Sequence, residues 1–326
     1  MVTIKKVAER AGVSVATVSY VLNAVRKVRP ETQQRVLAAV KELGYTPNTA
    51  ARSLVSGRSS IVGLVVPDIG NPFFPEITTA FQEAANATGL EAMVINTSYD
   101  AQRTRNVVER LAAMQVPGAA FLTSQVDVAV KESLAKRGIA AVYMDYGEPG
   151  PRISSIAVNY RQGMLEAIGH LAGLGHRRLA LIGGPAHGAA AQRRKLAFLE
   201  GTDAAGLDAR VIDSDFTVQG GYFSCARLLS AFAATAVIAA NDLMAIGALH
   251  CAFDHGIAVP GALSVVGFDD ITFAQFTQPA LTTVAVPRAE IGRLAFRTMW
   301  GMVAGEAGRV YEVGTSLVVR GSTGKV

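Results

Sequence analysis

Cysteine is nearly missing from this chain: among 326 residues only Cys225 and Cys251 occur, and they form no closely spaced pair. A disulfide framework and a cysteine-rich zinc motif are excluded by that count. No apolar run approaches the roughly eighteen residues of a membrane span, and no leader segment opens the chain, so a cytoplasmic, reduced protein without a membrane partner is expected. Histidine is scarce as well. His170, His176, His187, His250 and His255 lack the spacing of metal ligands, although His250 and Asp254 share a helical face. The stretch IGGP follows an apolar run but has neither the lysine nor the full glycine pattern of a phosphate loop, and no nucleophile-and-base constellation is visible. No cofactor, no metal and no enzymatic activity are expected.

What is present begins at the amino end. Residues 3–23, TIKKVAERAGVSVATVSYVLN, read as two short helices hinged at one glycine. Val7 and Ala8 supply an inward face, Gly12 stands where a left-handed turn is needed, and Val13, Val18, Val21 and Leu22 resume helical apolar spacing. This is the pattern of a helix-turn-helix, with Ser14 placed to cap the second helix. The side chains around that cap (Ser14, Val15, Ala16, Thr17, and Tyr20 one turn on) would face a major groove of DNA. A third amphipathic helix is predicted over 31–43, with Pro30 at its first position and Gly44 just past its end. Residues 1–58 hold ten Lys or Arg against three acids, a net +7, which leaves −2 for the rest of a chain of net +5. A basic head on a nearly neutral body suits phosphate contact by the head alone.

From about Ser60 apolar, strand-like runs alternate with helical stretches: IVGLVV, EAMVIN, GAAFL, AAVYM, then RLALIG, ARVID, TAVIAA and SVVGF. Runs buried on both faces and separated by helices predict doubly wound parallel sheets, and two such series point to two similar lobes joined near Asn159 and Pro287. Open parallel sheets place ligands beyond the carboxyl ends of their strands. Asp68, Asp145, the pair Asn241 and Asp242, and the pair Asp269 and Asp270 all stand there. Asp242 and Asp270, the second of each pair, are expected to be helix caps.

The stretches TIKKVAERAGVSVATVSYVLN, RVLAAVKELGYTPN, AARSL with the strand after it, and PDIGNPFFPEI, continuing to LVVRGST, resemble the lactose-repressor (LacI/GalR) family of bacterial transcription regulators over nearly the whole chain. The resemblance implies an α/β protein with an all-α helix-turn-helix headpiece (1–46), a hinge helix and linker (47–59), and two doubly wound parallel-sheet lobes (60–326), periplasmic-binding-protein-like. The first lobe is expected at about 60–158 plus 288–314, the second at about 159–287 plus 315–326. It further implies a repressor that binds a near-palindromic operator DNA as a homodimer, controlled by a small effector, most often a sugar, between the lobes. The DNA-facing positions then gain Thr3, Ser19, Asn23, Arg29 and Tyr45, and in the hinge Asn48, Ala51 and Leu54, the last as a minor-groove wedge. The sequence supports a hinge independently, because seven residues, NTAARSL, fall far below the about 12–15 that an isolated helix needs, whereas a second copy on DNA would stabilise one.

For the effector the resemblance points to Asp145 in YMD, Asn241 in AAND, Asp269 in GFDD, and Arg194 in RKLAF, with Lys195 the rival under a one-residue shift. Carboxylates accept from hydroxyls, an amide does both, and a guanidinium donates as a planar fork, a set suited to a polyol. Phe73, Phe74 and Phe216 are the aromatic faces, and Val158 and Val286 are expected to line the same cleft. The chain departs from many relatives in carrying Tyr20 where they carry arginine, and Val15 and Ala16 can touch only a thymine methyl, so a different half-site is expected. Arg29 replaces a serine, losing a cap and adding a cation toward DNA. Three rivals stand beside this reading: a glycosidase built on paired carboxylates, a transport-type sugar-binding protein, and the same regulator with a nucleobase or nucleoside effector stacked on Phe73 and Phe74.

Overall fold

A computed structural model describes residues 2–23, 28–45, 59–123 and 128–326. It contains two compact units, Met1–Ser60 and Ile61–Val326.

In the first unit helix α1 (Ile4–Ala11) ends because Gly12 turns left-handed, φ +63°, and returns its N–H to the last carbonyls of the helix. Helix α2 (Val15–Asn23) starts where the Ser14 hydroxyl accepts the Thr17 N–H at 3.1 Å, the cap expected from the sequence. Helix α3 (Pro30–Leu43) has proline at its first position and Gly44 at φ +59° behind it. Val7, Val18 and Val36 are wholly buried where the three helices meet, with Ala8, Ala11 and Ala39 around them. Arg10 pairs with Glu42 at 2.7 Å, but both are half-exposed, so the pair adds little beside that core.

The second unit runs β1 (Ile61–Val66), α4 (Phe73–Asn86), β2 (Glu91–Asn96), α5 (Ala101–Ala113), β3 (Gly118–Phe121), α6 (Val128–Lys136), β4 (Ala140–Met144) and β5 (Ile153–Val158). It continues through α7 (Tyr160–Gly173), β6 (Arg178–Gly183), α8 (Ala189–Ala204), β7 (Asp208–Asp213), α9 (Val218–Ala231), β8 (Ala236–Ala239), α10 (Asp242–Asp254), β9 (Ser264–Asp269) and β10 (Thr282–Ala285). It closes with α11 (Arg288–Val303), β11 (Val310–Val313) and β12 (Ser316–Val318). Two six-stranded sheets result, ordered β11-β5-β4-β3-β1-β2 and β12-β10-β9-β8-β6-β7. Every pairing is parallel except β12 against β10.

The two sheets have the same topology, one lobe each, and the chain passes between them after β5, after β10 and after β11. AAVYM and SVVGFD are buried along their whole length because helices cover both faces, hence unbroken apolar runs rather than alternation. In each sheet the first strand (β1 or β6) lies between the second and the third, so the chain winds in opposite directions from it and leaves a crevice at the carboxyl ends. In the second lobe α9 and α10 touch backbone to backbone. A Cβ on Gly221 would lie 2.2 Å from the Met244 carbonyl oxygen, and one on Gly247 would lie 2.0 Å from that of Val218.

Candidate functional site

The strand ends of the two lobes enclose one cavity of about 300 Å³. The first lobe contributes Pro67, Leu122, Thr123 and Asp145, which follow β1, β3 and β4, and Met144, which ends β4; the second contributes Pro185, Asn241 and Asp269 from β6, β8 and β9. Asn71, Phe73 and Phe74 enter at the start of α4, Tyr160 at the start of α7 and Arg194 from α8, while Tyr99 and Phe216 come from the turns after β2 and β7. Phe73 and Phe74 meet edge to face, ring centroids 5.1 Å apart at 89°. Phe216, at φ +67°, fits because Gly184 lacks a Cβ: one would sit 2.3 Å from its ring.

Arg194 is the electrostatic centre. Its Nη2 donates to Asp269 Oδ1 at 2.9 Å, its Nη1 donates to the Ala240 carbonyl at 2.6 Å, and its guanidinium carbon lies 4.5 Å from the rings of both Tyr160 and Phe268. Both members of the ion pair are 6% exposed, and the Arg194 Nε is buried without a hydrogen-bond partner among the described residues. Burial pushes the Asp269 carboxyl up to about 6 against the opposing pull of Arg194 and Arg288. Asp145 is also raised by burial, an effect that the Tyr160 hydroxyl, the Val158 N–H and Arg193 oppose. The Val158 N–H and Arg193 Nη1 both reach Asp145 Oδ1 at 3.0 Å, and the Tyr160 hydroxyl donates to Oδ2.

Of the residues proposed from sequence, Phe73, Phe74, Asp145, Arg194, Phe216, Asn241 and Asp269 all line this cavity. Lys195, one residue on, points away to Asp213 at 3.1 Å. Three expectations need correction. Val158 does not line this cavity: its side chain packs in the core beside a neighbouring hollow, and its backbone N–H holds Asp145. Val286 is likewise core. The caps are assigned the other way round in the first pair, since Asn241 accepts the Met244 N–H as the cap of α10 and gives its amide hydrogen to the Phe216 carbonyl. Asp242 is fully buried and accepts from the Ile271 N–H and the Thr283 hydroxyl, while Asp270 pairs with Arg320. A strand end fixes where a side chain begins but not which of two neighbours turns inward. Tyr160, Tyr99, Asn71 and Thr123 line the cavity without having been singled out; for Tyr160 the only local signal is its place beside the crossing at Asn159.

In the headpiece Thr3, Ser14, Val15, Ala16, Tyr20 and Arg29 are exposed and Thr17 and Ser19 partly so, while Val18 points to the core. Among the described residues Arg29 precedes α3 without a side-chain cap bond, and Tyr45 packs against the headpiece core. The Asn23 side chain and residues Asn48, Ala51 and Leu54, with the hinge, lie outside the described residues. Among the described residues no three His, Cys, Asp or Glu gather as a metal site, and no helix is long and apolar enough to cross a membrane.

Residues 3–48 match the family "Bacterial regulatory proteins, lacI family", and residues 168–323 match "Periplasmic binding protein-like domain". The transcriptional repressor PurR of Mannheimia succiniciproducens is 32% identical over 333 residues, covering 100% of both chains. The chain belongs to the lacI family. It is a DNA-binding transcriptional regulator with a ligand-binding body, and the enzyme and transport-protein readings fall away with that membership. Among solved structures, the lac repressor dimer bound to operator and the anti-inducer ONPF superimposes with a TM-score of 0.88 at 27% identity, covering 99% of each chain. The regulator CelR in complex with cellobiose gives a TM-score of 0.74 at 30% identity, over 99% of this chain and 100% of its own.

Proposed function

We propose that this regulator is a repressor that binds a near-palindromic operator as a homodimer, through α2 in the major groove and a hinge at 47–59, and that a sugar or sugar derivative in the interlobe cavity sets its affinity. On this reading 1–46 is the DNA-binding headpiece and 60–326 the effector-binding and dimerising body. The carrying observation is that one cavity brings together three carboxylates, two amides and a guanidinium with several aromatic rings. A polyol needs both kinds of surface, hydrogen-bonding groups for its hydroxyls and flat apolar faces for its C–H side. A volume of about 300 Å³ is at the small end of ligand pockets. CelR with its cellobiose adds support from a fold neighbour.

In the headpiece, exposed Val15, Ala16 and Tyr20 share a face of α2 with Ser19, opposite Val18. Base contact there would be apolar at Val15 and Ala16, with phosphates met by the basic surroundings. A thermal-shift panel of sugars, sugar phosphates, polyols and nucleosides tests the effector class, because a ligand at 100 times its Kd stabilises by about 2.7 kcal/mol. A hit confined to nucleosides overturns the sugar reading; a sugar hit that leaves operator affinity unchanged overturns its regulatory role.

A further inference from the structure

Two of the three cavity aspartates, Asp145 and Asp269, are each held by an arginine on a helix of the other lobe. Asp145 follows β4 in the first lobe, and Arg193 on α8 in the second reaches it twice, with Nη1 on the carboxylate at 3.0 Å and Nη2 on the backbone carbonyl at 3.3 Å. Asp269 ends β9 in the second lobe. Arg288, the first residue of α11, which packs on α4 and β4 in the first lobe, gives its Nη1 to the Asp269 carbonyl. Its Nε and Nη2 meanwhile grip Glu76 of α4 at 2.8 and 2.7 Å. The two aspartates share a further property: both have positive φ, +58° and +110°, where residues with a Cβ are strained. Such a conformation persists only where the surroundings over-determine it, and in each case an arginine bond to the aspartate's own backbone carbonyl supplies part of that constraint.

We propose that Arg193 and Arg288 are positioning residues, a reciprocal pair of interlobe clamps that sets the separation of the lobes and the direction of each aspartate in the cavity. Arg193 does not line the cavity itself. It lines a neighbouring hollow of about 220 Å³ with Val158, Asn159, Arg161 and Leu196, so it approaches Asp145 from behind and a ligand need not displace it. The clamps differ in strength. The Arg288 side chain is 9% exposed and that of Arg193 is 44% exposed, so solvent screens the second far more and it is the one that yields first. A rotation that draws α8 away from the end of β4 must stretch the Arg193 contact, and one that draws α11 away from β9 must stretch that of Arg288, which ties lobe separation to the residues on which an effector would rest. That last link depends on the effector function proposed above; the control of lobe separation does not.

The test is a distance measurement on the ligand-free full chain. Spin labels on Glu83→Cys and Asp203→Cys, exposed positions in the first and second lobes, report lobe separation by dipolar spectroscopy, and Cys225 and Cys251 are buried and escape labelling. Arg193→Gln should shift and broaden the distance distribution, Arg288→Gln should do so more strongly, and Arg193→Lys should restore part of the parental distribution, since lysine keeps the charge but not the two-point fork. A distribution that stays parental in both Gln variants, with melting curves showing them folded, overturns the clamps. If Arg288→Gln fails to fold, the more exposed Arg193→Gln carries the test alone. A sugar panel without a hit, alongside shifted distances, sinks the sugar as effector and leaves the clamps standing.

Discussion

Replacing Arg194 by methionine keeps a long apolar stem against Tyr160 and Phe268 and removes only the charge and its hydrogen bonds. At neutral pH this leaves Asp269 buried without the partner now 2.9 Å away, with both side chains 6% exposed in the parent. Breaking a buried pair from one side costs about 3–5 kcal/mol. The lower end is expected, because Asp269 can escape the penalty by taking a proton and Arg288 remains at its carbonyl. With a urea slope of about 3 kcal/mol per M for a body of this size, a loss of about 3 kcal/mol moves the unfolding midpoint down by about 1 M.

The effect should depend on pH. The folded Asp269 carboxyl is raised to about 6, against about 3.9 when unfolded. The native state therefore binds more protons than the unfolded state between those values. The contribution of this group to stability is fully present below about 3.9 and is lost as pH rises through about 6. At pH 5 the parental Asp269 carboxyl is already largely protonated and Arg194→Met should cost less than half of what it costs at pH 7.5. Urea titrations followed by circular dichroism at the two pH values decide it. Equal losses at both, or a loss under about 1 kcal/mol at pH 7.5, would refute the assignment of Arg194 and Asp269 as a coupled buried pair.

Three further outcomes are expected. Ser14→Ala removes the hydroxyl that accepts the Thr17 N–H and should destabilise the headpiece by about 1 kcal/mol, read from melting of a headpiece signal such as amide exchange in α2. Gly247→Ala places a Cβ 2.0 Å from the Val218 carbonyl oxygen, so α9 and α10 must separate; a loss at or above about 3 kcal/mol is expected, and a parental melting temperature would show that the helices do not pack so closely. Leu54→Ala should weaken operator binding in a DNA-selection-derived gel-shift assay while leaving effector affinity intact, and unchanged operator affinity would dispose of the minor-groove wedge.

Much of the architecture was legible because it is written in local periodicity. Gly12 and Ser14 announce the helix-turn-helix, since one supplies a left-handed turn and the other a cap, and both act within four residues of themselves. The parallel sheets were legible because strands covered on both faces have no polar alternation, as in AAVYM. The positions beyond the strand ends could also be named, for topology alone brings Asp145, Asn241 and Asp269 to one crevice.

Only the tertiary structure decided how those positions are used. Asn241 rather than Asp242 caps α10, and Val158 acts through its backbone rather than its side chain, because a strand's last residues can turn either way and the choice depends on what packs there. The partners that hold the cavity are equally invisible in the chain. Arg193 lies 48 residues from Asp145, and Arg288 lies 212 residues from Glu76, on helices whose periodicity reports only an inner and an outer face. By itself the sequence determined which elements form and where the crevice falls, through interactions that repeat within a turn or a pleat. The clamps, caps and buried charges were decided by long-range contact between two lobes, which no local pattern encodes.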